Sequence, residues 1–333
     1  MVIQRCVVAL AALALAACTD FVGGPTPTVT PSQAPFGGME LISEGPVLRA
    51  SDLGDYGAVL PSAYFMADGV QHAYLVGFGD ARGDQRVFHA TSPDGLAWTV
   101  DEADPFANLG LDLSPPGPVS GSVLQADDGT WLMYLWGVPS PGQFGAVIYR
   151  ATADSPAGPW VADPEPVLGL GERGAWDDLG VDFPAVGRTD DGFVMIYGAS
   201  NSADRETSSI GVATSPDGVT WTKDPANPVI SADHCGDPDA RYAAGARLLQ
   251  PENNPMLLLF DVGREIRIGI SSDAREWTCA SADPILTADD VPGSEGIHTI
   301  AATLVEGEAL VLVESLVEGG SELWLARAWQ AEA

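Results

Sequence analysis

Five copies of one short pattern recur along the chain at a period of about 60 residues, and a period of that length leaves few architectures open. Gly45-Pro46-Val47-Leu48, Asp104-Pro105-Phe106, Glu165-Pro166-Val167-Leu168, Asn227-Pro228-Val229-Ile230 and Asp283-Pro284-Ile285-Leu286 place their prolines 59, 61, 62 and 56 residues apart. A second series runs through Trp98, Trp160, Trp221, Trp277 and, more loosely, Trp329, at spacings of 62, 61, 56 and 52. Two independent markers with one period define five units.

Each unit reads as short strands. The third contains Phe183–Arg188, a turn at Asp190-Asp191-Gly192, Phe193–Tyr197, a longer loop, Ile210–Thr214, a turn at Ser215-Pro216-Asp217-Gly218, and Val219–Thr222. β-Branched and aromatic residues fill the runs, and the turns between them carry Pro, Asp and Gly. The same turn recurs as Ser92-Pro93-Asp94-Gly95 and, in weaker form, as Ser272-Asp273-Ala274-Arg275. Its serine and aspartate are expected to fasten the turn to backbone amides, and its tryptophan to pack between units. No segment beyond the N-terminal leader shows sustained helical periodicity. Four strands per unit in five units predict an all-β fold, a five-bladed β-propeller with four antiparallel strands per blade, over residues 39–330. A ring must also close. Met39–Leu48 is therefore expected to supply the outer strand of the last blade, or to pair with it.

Ahead of the repeats, Arg5 precedes an uncharged apolar run from Cys6 to Ala17, too short to span a membrane and typical of a secretory signal over residues 1–17. The run ends Leu15-Ala16-Ala17-Cys18, which resembles the lipobox of bacterial lipoproteins. That resemblance implies cleavage before Cys18, acylation of Cys18 with chains such as palmitate, and a lipid-anchored place in the bacterial cell envelope, facing the periplasm or the exterior. Residues 18–38 then form a tether, with four Pro and four Gly among residues 23–38. Cys235 and Cys279 remain. In an oxidising compartment they favour one disulfide, with two separate buried thiols as the alternative.

Lys and Arg number 15 against 46 Asp and Glu, a formal charge of −31 that becomes −32 once Arg5 leaves with the signal. Phosphate would be repelled over most of such a surface, which excludes nucleic acid as a partner. Lys223 is the sole lysine. The chain has no zinc-ligand spacing, no phosphate-cradling glycine loop and no Gly-x-Ser-x-Gly elbow.

Trp176-Asp177-Asp178, Phe183-Pro184-Ala185-Val186, Asp191-Gly192-Phe193-Val194-Met195-Ile196-Tyr197, Ile210 through Trp221 and Asn227-Pro228-Val229-Ile230 together resemble a blade of the five-bladed glycoside hydrolases of families 43 and 32. Ala90–Trp98 repeats the signature, and the resemblance covers most of residues 45–330. It implies a carbohydrate ligand, a site where the innermost strands converge, and three carboxylates: a base in blade one, a pKa-tuning Asp in blade two and an acid Glu in blade three. Leu60 and Ser120 stand at the first two positions, and Asp182 comes one residue early in the third. The usual triad is therefore missing.

Polar residues expected near the axis are Tyr56, Asp178, Asp182, Arg241, Tyr242, Glu295 and His298, with Asp55 displaced towards a loop. Asp182 and Glu295 form the candidate catalytic pair, because glycoside cleavage needs two carboxyl groups. Tyr56, Asp178, Arg241, Tyr242 and His298 are candidate ligand contacts, and the resemblance makes His298 a candidate neighbour of an axial calcium. Trp131, Trp136 and Trp176 are candidates for stacking on sugars or for filling gaps between blades. Three functions stay open: a monomeric lipid-anchored protein that recognises glycan, an active glycoside hydrolase with a rearranged acid pair, and an interaction scaffold.

Overall fold

A computed structural model of the chain describes residues 38–79, 85–140, 145–203, 207–235, 243–251 and 255–329. The leader, Cys18, all but the last residue of the tether, and Arg241 and Tyr242 lie outside them. The first described strands are β1 (Gly38–Leu41) and the two-residue β2 (Leu48–Arg49). Blade one comprises β3 (Ala58–Ala67), β4 (Val70–Phe78), β5 (Gln85–Ser92) and β6 (Thr99–Val100). Blade two is β7 (Leu113–Gln125), β8 (Trp131–Pro139), β9 (Val147–Ala153) and β10 (Val161–Ala162). Blade three is β11 (Gly180–Thr189), β12 (Gly192–Ser200), β13 (Ser208–Ser215) and β14 (Thr222–Lys223). Blade four is β15 (Ala243–Leu249), β16 (Met256–Val262), β17 (Glu265–Ser271) and β18 (Thr278–Cys279). Blade five adds β19 (Gly296–Val305), β20 (Glu308–Val317) and β21 (Gly320–Trp329), and takes β1 as its fourth strand.

The fold is thus a five-bladed propeller of antiparallel sheets. Its first strands β3, β7, β11, β15 and β19 touch in turn around the axis. Closure follows the expected route: β1 lies against β21, from Gly38 opposite Trp329 to Leu41 opposite Ala326, and β2 sets Leu48 opposite Leu323. Without that pairing β21 would present an open edge.

The Pro-Val-Leu marker has a structural reason. In blades two, three and four its last residue, Leu168, Ile230 or Leu286, is buried and makes an isolated bridge to the third strand, at Ile148, Ile210 or Ile266. In blade five Leu48 occupies the same place against β21. The tryptophan turns also match expectation in mechanism. Ser215 Oγ accepts from the Gly218 amide at 2.9 Å, and Asp217 Oδ1 accepts from the amides of Val219 and Thr220 at 2.9 and 2.7 Å. Because those two amides are bound to Asp217, Val219 and Thr220 stay in the turn. The fourth strand is therefore Thr222–Lys223 and not Val219–Thr222. The third turn shifts by one residue from its expected register: Ser271, not Ser272, caps Asp273 and Ala274.

Hydroxyls and amides stitch neighbouring blades. Ser62 and Ser120 share a hydrogen bond of 2.5 Å, Ser122 bonds both the amide and the carbonyl of Val186, Gln250 does so with Arg188, and Ser321 with Val59. Aromatic residues fill the gaps further out. Tyr134 donates to the Gly218 carbonyl at 2.8 Å and meets Trp221 edge-on at 5.6 Å. The Cys235–Cys279 disulfide forms and ties the approach to β15 to the outer strand of the same blade.

The tryptophan turn requires positive φ at its fourth position, which Gly95 and Gly218 adopt freely, at +78° and +72°, while Ala274 is held at +62°. Ala274→Gly should therefore stabilise the protein by about 1 kcal/mol. Gly218→Ala should destabilise it, since a Cβ there would sit 2.7 Å from the Tyr134 hydroxyl. Thermal denaturation of both variants reads the opposite signs, and equal shifts would refute the account.

Candidate functional site

All five inner strands break register at one level. The irregularities fall between Pro61 and Ala63, Ser120 and Ser122, Asp182 and Ala185, Ala244 and Arg247, and Ile297 and Ile300. Bulges re-aim side chains and commonly sit beside functional sites. At the break in blade two, Gly121 admits blade three closely, for a Cβ there would lie 2.5 Å from the Pro184 carbonyl oxygen. In blade three the break forces Phe183 to φ +47°, a strained conformation for a residue with a side chain. Its ring meets Trp136 at 5.3 Å.

At and above these breaks, towards the end where the inner strands begin, charged groups from three blades converge. Asp182 comes from β11 and is partly exposed. Burial of its carboxyl pushes its pKa up to about 7, and the negative charge of Asp261 adds to the effect. Asp261 comes from β16 and is 7% exposed, with Oδ1 lacking a protein partner. Burial raises its pKa to about 6, opposed by His298, the Ala244 amide and Arg247. His298, on β19, bonds through Nδ1 to Oε2 of the buried Glu314 at 2.9 Å. That bond, and then the charges of Glu314 and Asp261, raise the His298 pKa and favour its charged form. Two carboxyls that titrate near neutrality, an imidazole whose charged form is favoured and an unbonded acceptor oxygen can give and take protons at a ligand.

The sequence-predicted residues distribute unevenly around this cluster. Asp182 and His298 belong to it. Glu295 is exposed where the chain enters β19, and the acid that faces Asp182 electrostatically is Asp261. Asp178 fastens two loops, accepting from the Gly174 amide at 2.7 Å and from the Ser202 amide and hydroxyl at 2.6 and 2.7 Å, and these bonds lower its pKa. Tyr56 packs edge-on against Phe88 at 5.4 Å, over Gly77. Asp55 is exposed. Trp131 is buried against Phe65, and Trp176 lies against Tyr197, so of the three candidate tryptophans only Trp136 approaches the axial strand breaks.

Asp261 and Glu314 escaped the sequence reading because both sit on second strands, inside the apolar runs Met256–Val262 and Glu308–Val317. The available signal was one acid in the interior of an otherwise core-like strand, Asp261 in the first and Glu314 in the second. His298 commits Nδ1 to Glu314, and among the described residues no three His, Cys, Asp or Glu side chains gather as a metal-holding group.

A carboxyl whose pKa is higher in the folded than in the unfolded chain keeps a proton that unfolding would release, so stability falls as pH rises between the two values. For Asp182 that window runs from 3.8 to about 7. Asp182→Asn removes the titration and keeps the shape. It should raise Tm at pH 8 by about 2 °C or more and change it less at pH 5. An equal change at both pH values would contradict the raised pKa.

No protein-family model matches the chain, and no curated protein matches it. Solved structures do. A glycosyl hydrolase from Bacteroides ovatus aligns with TM-score 0.62 and 14% identity over 89% of this chain and 97% of that one. Zg3597, a family 117 glycoside hydrolase produced by the marine bacterium Zobellia galactanivorans, aligns with TM-score 0.60 and 17% identity over 87% and 90%. A structure from the GH130 family of mannoside phosphorylases aligns with TM-score 0.64 and 14% identity over 87% and 94%. At these identities the likeness is one of fold: the chain shares the five-bladed propeller on which these carbohydrate-active proteins are built.

Proposed function

We propose that the chain is an extracytoplasmic, lipid-anchored propeller that takes carbohydrate at the upper mouth of its axis and cleaves it with Asp182 and Asp261. The observation that carries this reading is the pair itself: two carboxyls from neighbouring blades, electrostatically coupled and both held well above the usual carboxylate range. Asp261 loses its proton first, and the charge of His298 favours that form. Asp182 keeps its proton to about pH 7. Asp182 is then the general acid that protonates the departing glycosidic oxygen, and Asp261 the carboxylate that activates water or attacks the sugar. Water supplies the hydroxyl that ends on the anomeric carbon. Phe183 and Trp136 give a sugar face an apolar surface beside Asp182. The solved structures that share the fold and are named as glycoside hydrolases support the choice of ligand class.

A second reading, recognition without cleavage, is favoured by the departure in blades one and two. Leu60 and Ser120 are both buried, and the Ser120 hydroxyl is bonded to Ser62. In this reading Asp182 and Asp261 hold sugar hydroxyls.

A panel of aryl glycosides and plant, microbial and host polysaccharides separates the two. Hydrolysis should follow a bell-shaped pH profile with limbs near 6 and 7, and Asp182→Asn should lower kcat by about 100-fold or more. Hydrolysis at wild-type rate in both Asp182→Asn and Asp261→Asn would discard this acid pair. Retention on an immobilised glycan with no hydrolysis would assign recognition alone.

A further inference from the structure

Below the five strand breaks the axis widens into a cavity of about 220 Å³. All five inner strands line it, through Ala63, Gly121, Ser122, Ala185, Arg247 and Thr303 among others. Arg247 is the one charged residue among the described lining. Its side chain is 5% exposed, and Nη1 donates to the carbonyls of Gly245 and Ala246 at 3.1 and 2.9 Å, which fixes the plane of the guanidinium. Nε is buried and has no protein partner. Among the described residues no carboxylate forms an ion pair with it, and the acid that acts on it electrostatically is Asp261, across the strand break.

We infer that this lower half of the axis is a binding site for a carboxylate held on Arg247. A guanidinium stays charged in the interior, and an unpaired buried charge is costly. A guanidinium offers parallel N–H donors to two oxygens, the geometry that a carboxylate presents. Phosphate offers oxygens too. As a dianion, however, it would bring one charge more than Arg247 neutralises, into a protein already at −31. Ala63, Ala185 and Ala302 supply an apolar wall for the carbon skeleton that a carboxylate carries. The carboxylate comes either from a small free acid or from a sugar acid within a glycan. Arg247 and Asp261 act on each other across the strand break, but the inference needs no catalytic step and stands whether or not cleavage occurs at the upper mouth.

Calorimetry and thermal denaturation of the full chain at fixed ionic strength test it, with sodium acetate, sodium glucuronate, a uronate oligosaccharide, sodium phosphate and neutral glucose as probes. Acetate and glucuronate should bind saturably, one per chain, and raise Tm. Arg247→Gln should weaken both at least 10-fold. Ala302→Leu, which narrows the cavity without touching the guanidinium, should weaken glucuronate more than acetate, and it decides the matter if Arg247→Gln does not fold. Tighter binding of the oligosaccharide than of acetate would support a glycan-borne carboxylate; equal binding would support a free acid. Absence of saturable binding by either carboxylate, binding of phosphate in their place, or wild-type affinity in a folded Arg247→Gln would overturn the proposal.

Discussion

Ring closure is the condition on which everything else in this molecule rests. Five twisted sheets arranged around an axis leave two loose ends, and an unclosed ring would expose both the edge of β21 and the interfaces beside it. Here the chain solves the problem with residues that come before the first blade. β1 completes the sheet that β19, β20 and β21 begin, and Met39 joins the core of that last blade. Once the ring is closed, the first strands are forced together at the axis. Small side chains, shared hydroxyls and charged groups with partners suit so narrow a space, as Gly121, Ser62, Ser120 and His298 with Glu314 each show.

The axis is also where the repeats stop resembling one another. Away from it the blades share one grammar of strands, tryptophan turns and bridging leucines. At it, blades one and two contribute leucine and serine, while blades three, four and five contribute Asp182, Asp261, Arg247, His298 and Glu314. Blades four and five also hold Asp261 Oδ1, Thr299 Oγ1 and Arg247 Nε, buried polar atoms without protein partners. A buried polar group left unbonded costs free energy unless something else satisfies it. One side of the axis is thus lined by leucine and bonded hydroxyls, and the other concentrates the charged and unpartnered polar groups.

The fold was legible because a repeat writes the same constraint five times. The proline and tryptophan spacings report the bridge at Leu168, Ile230 and Leu286 and the turns at Ser92 and Ser215, each a local event with a local sequence cause. Closure was legible too, from the leftover strand-like segment ahead of blade one. The site was only half legible. Asp182 and His298 lie on inner strands, where a reader looks for function. Asp261, Arg247 and Glu314 matter because of register and depth, and strand breaks of one or two residues set those quantities. Asp178 shows the converse: a loop carboxylate that looks available until three hydrogen bonds to Gly174 and Ser202 are seen.

The position of β1 has a mechanical consequence. The chain enters the ring at Gly38, on the strand that clasps it shut. Any pull applied ahead of Gly38 is delivered first to the four paired residues of β1 and next to the two of β2. It reaches the interior of a blade only after those have let go. The clasp is therefore also the fuse: under load from that side, the propeller opens at its seam, with blade five losing its outer strand before any other sheet unravels.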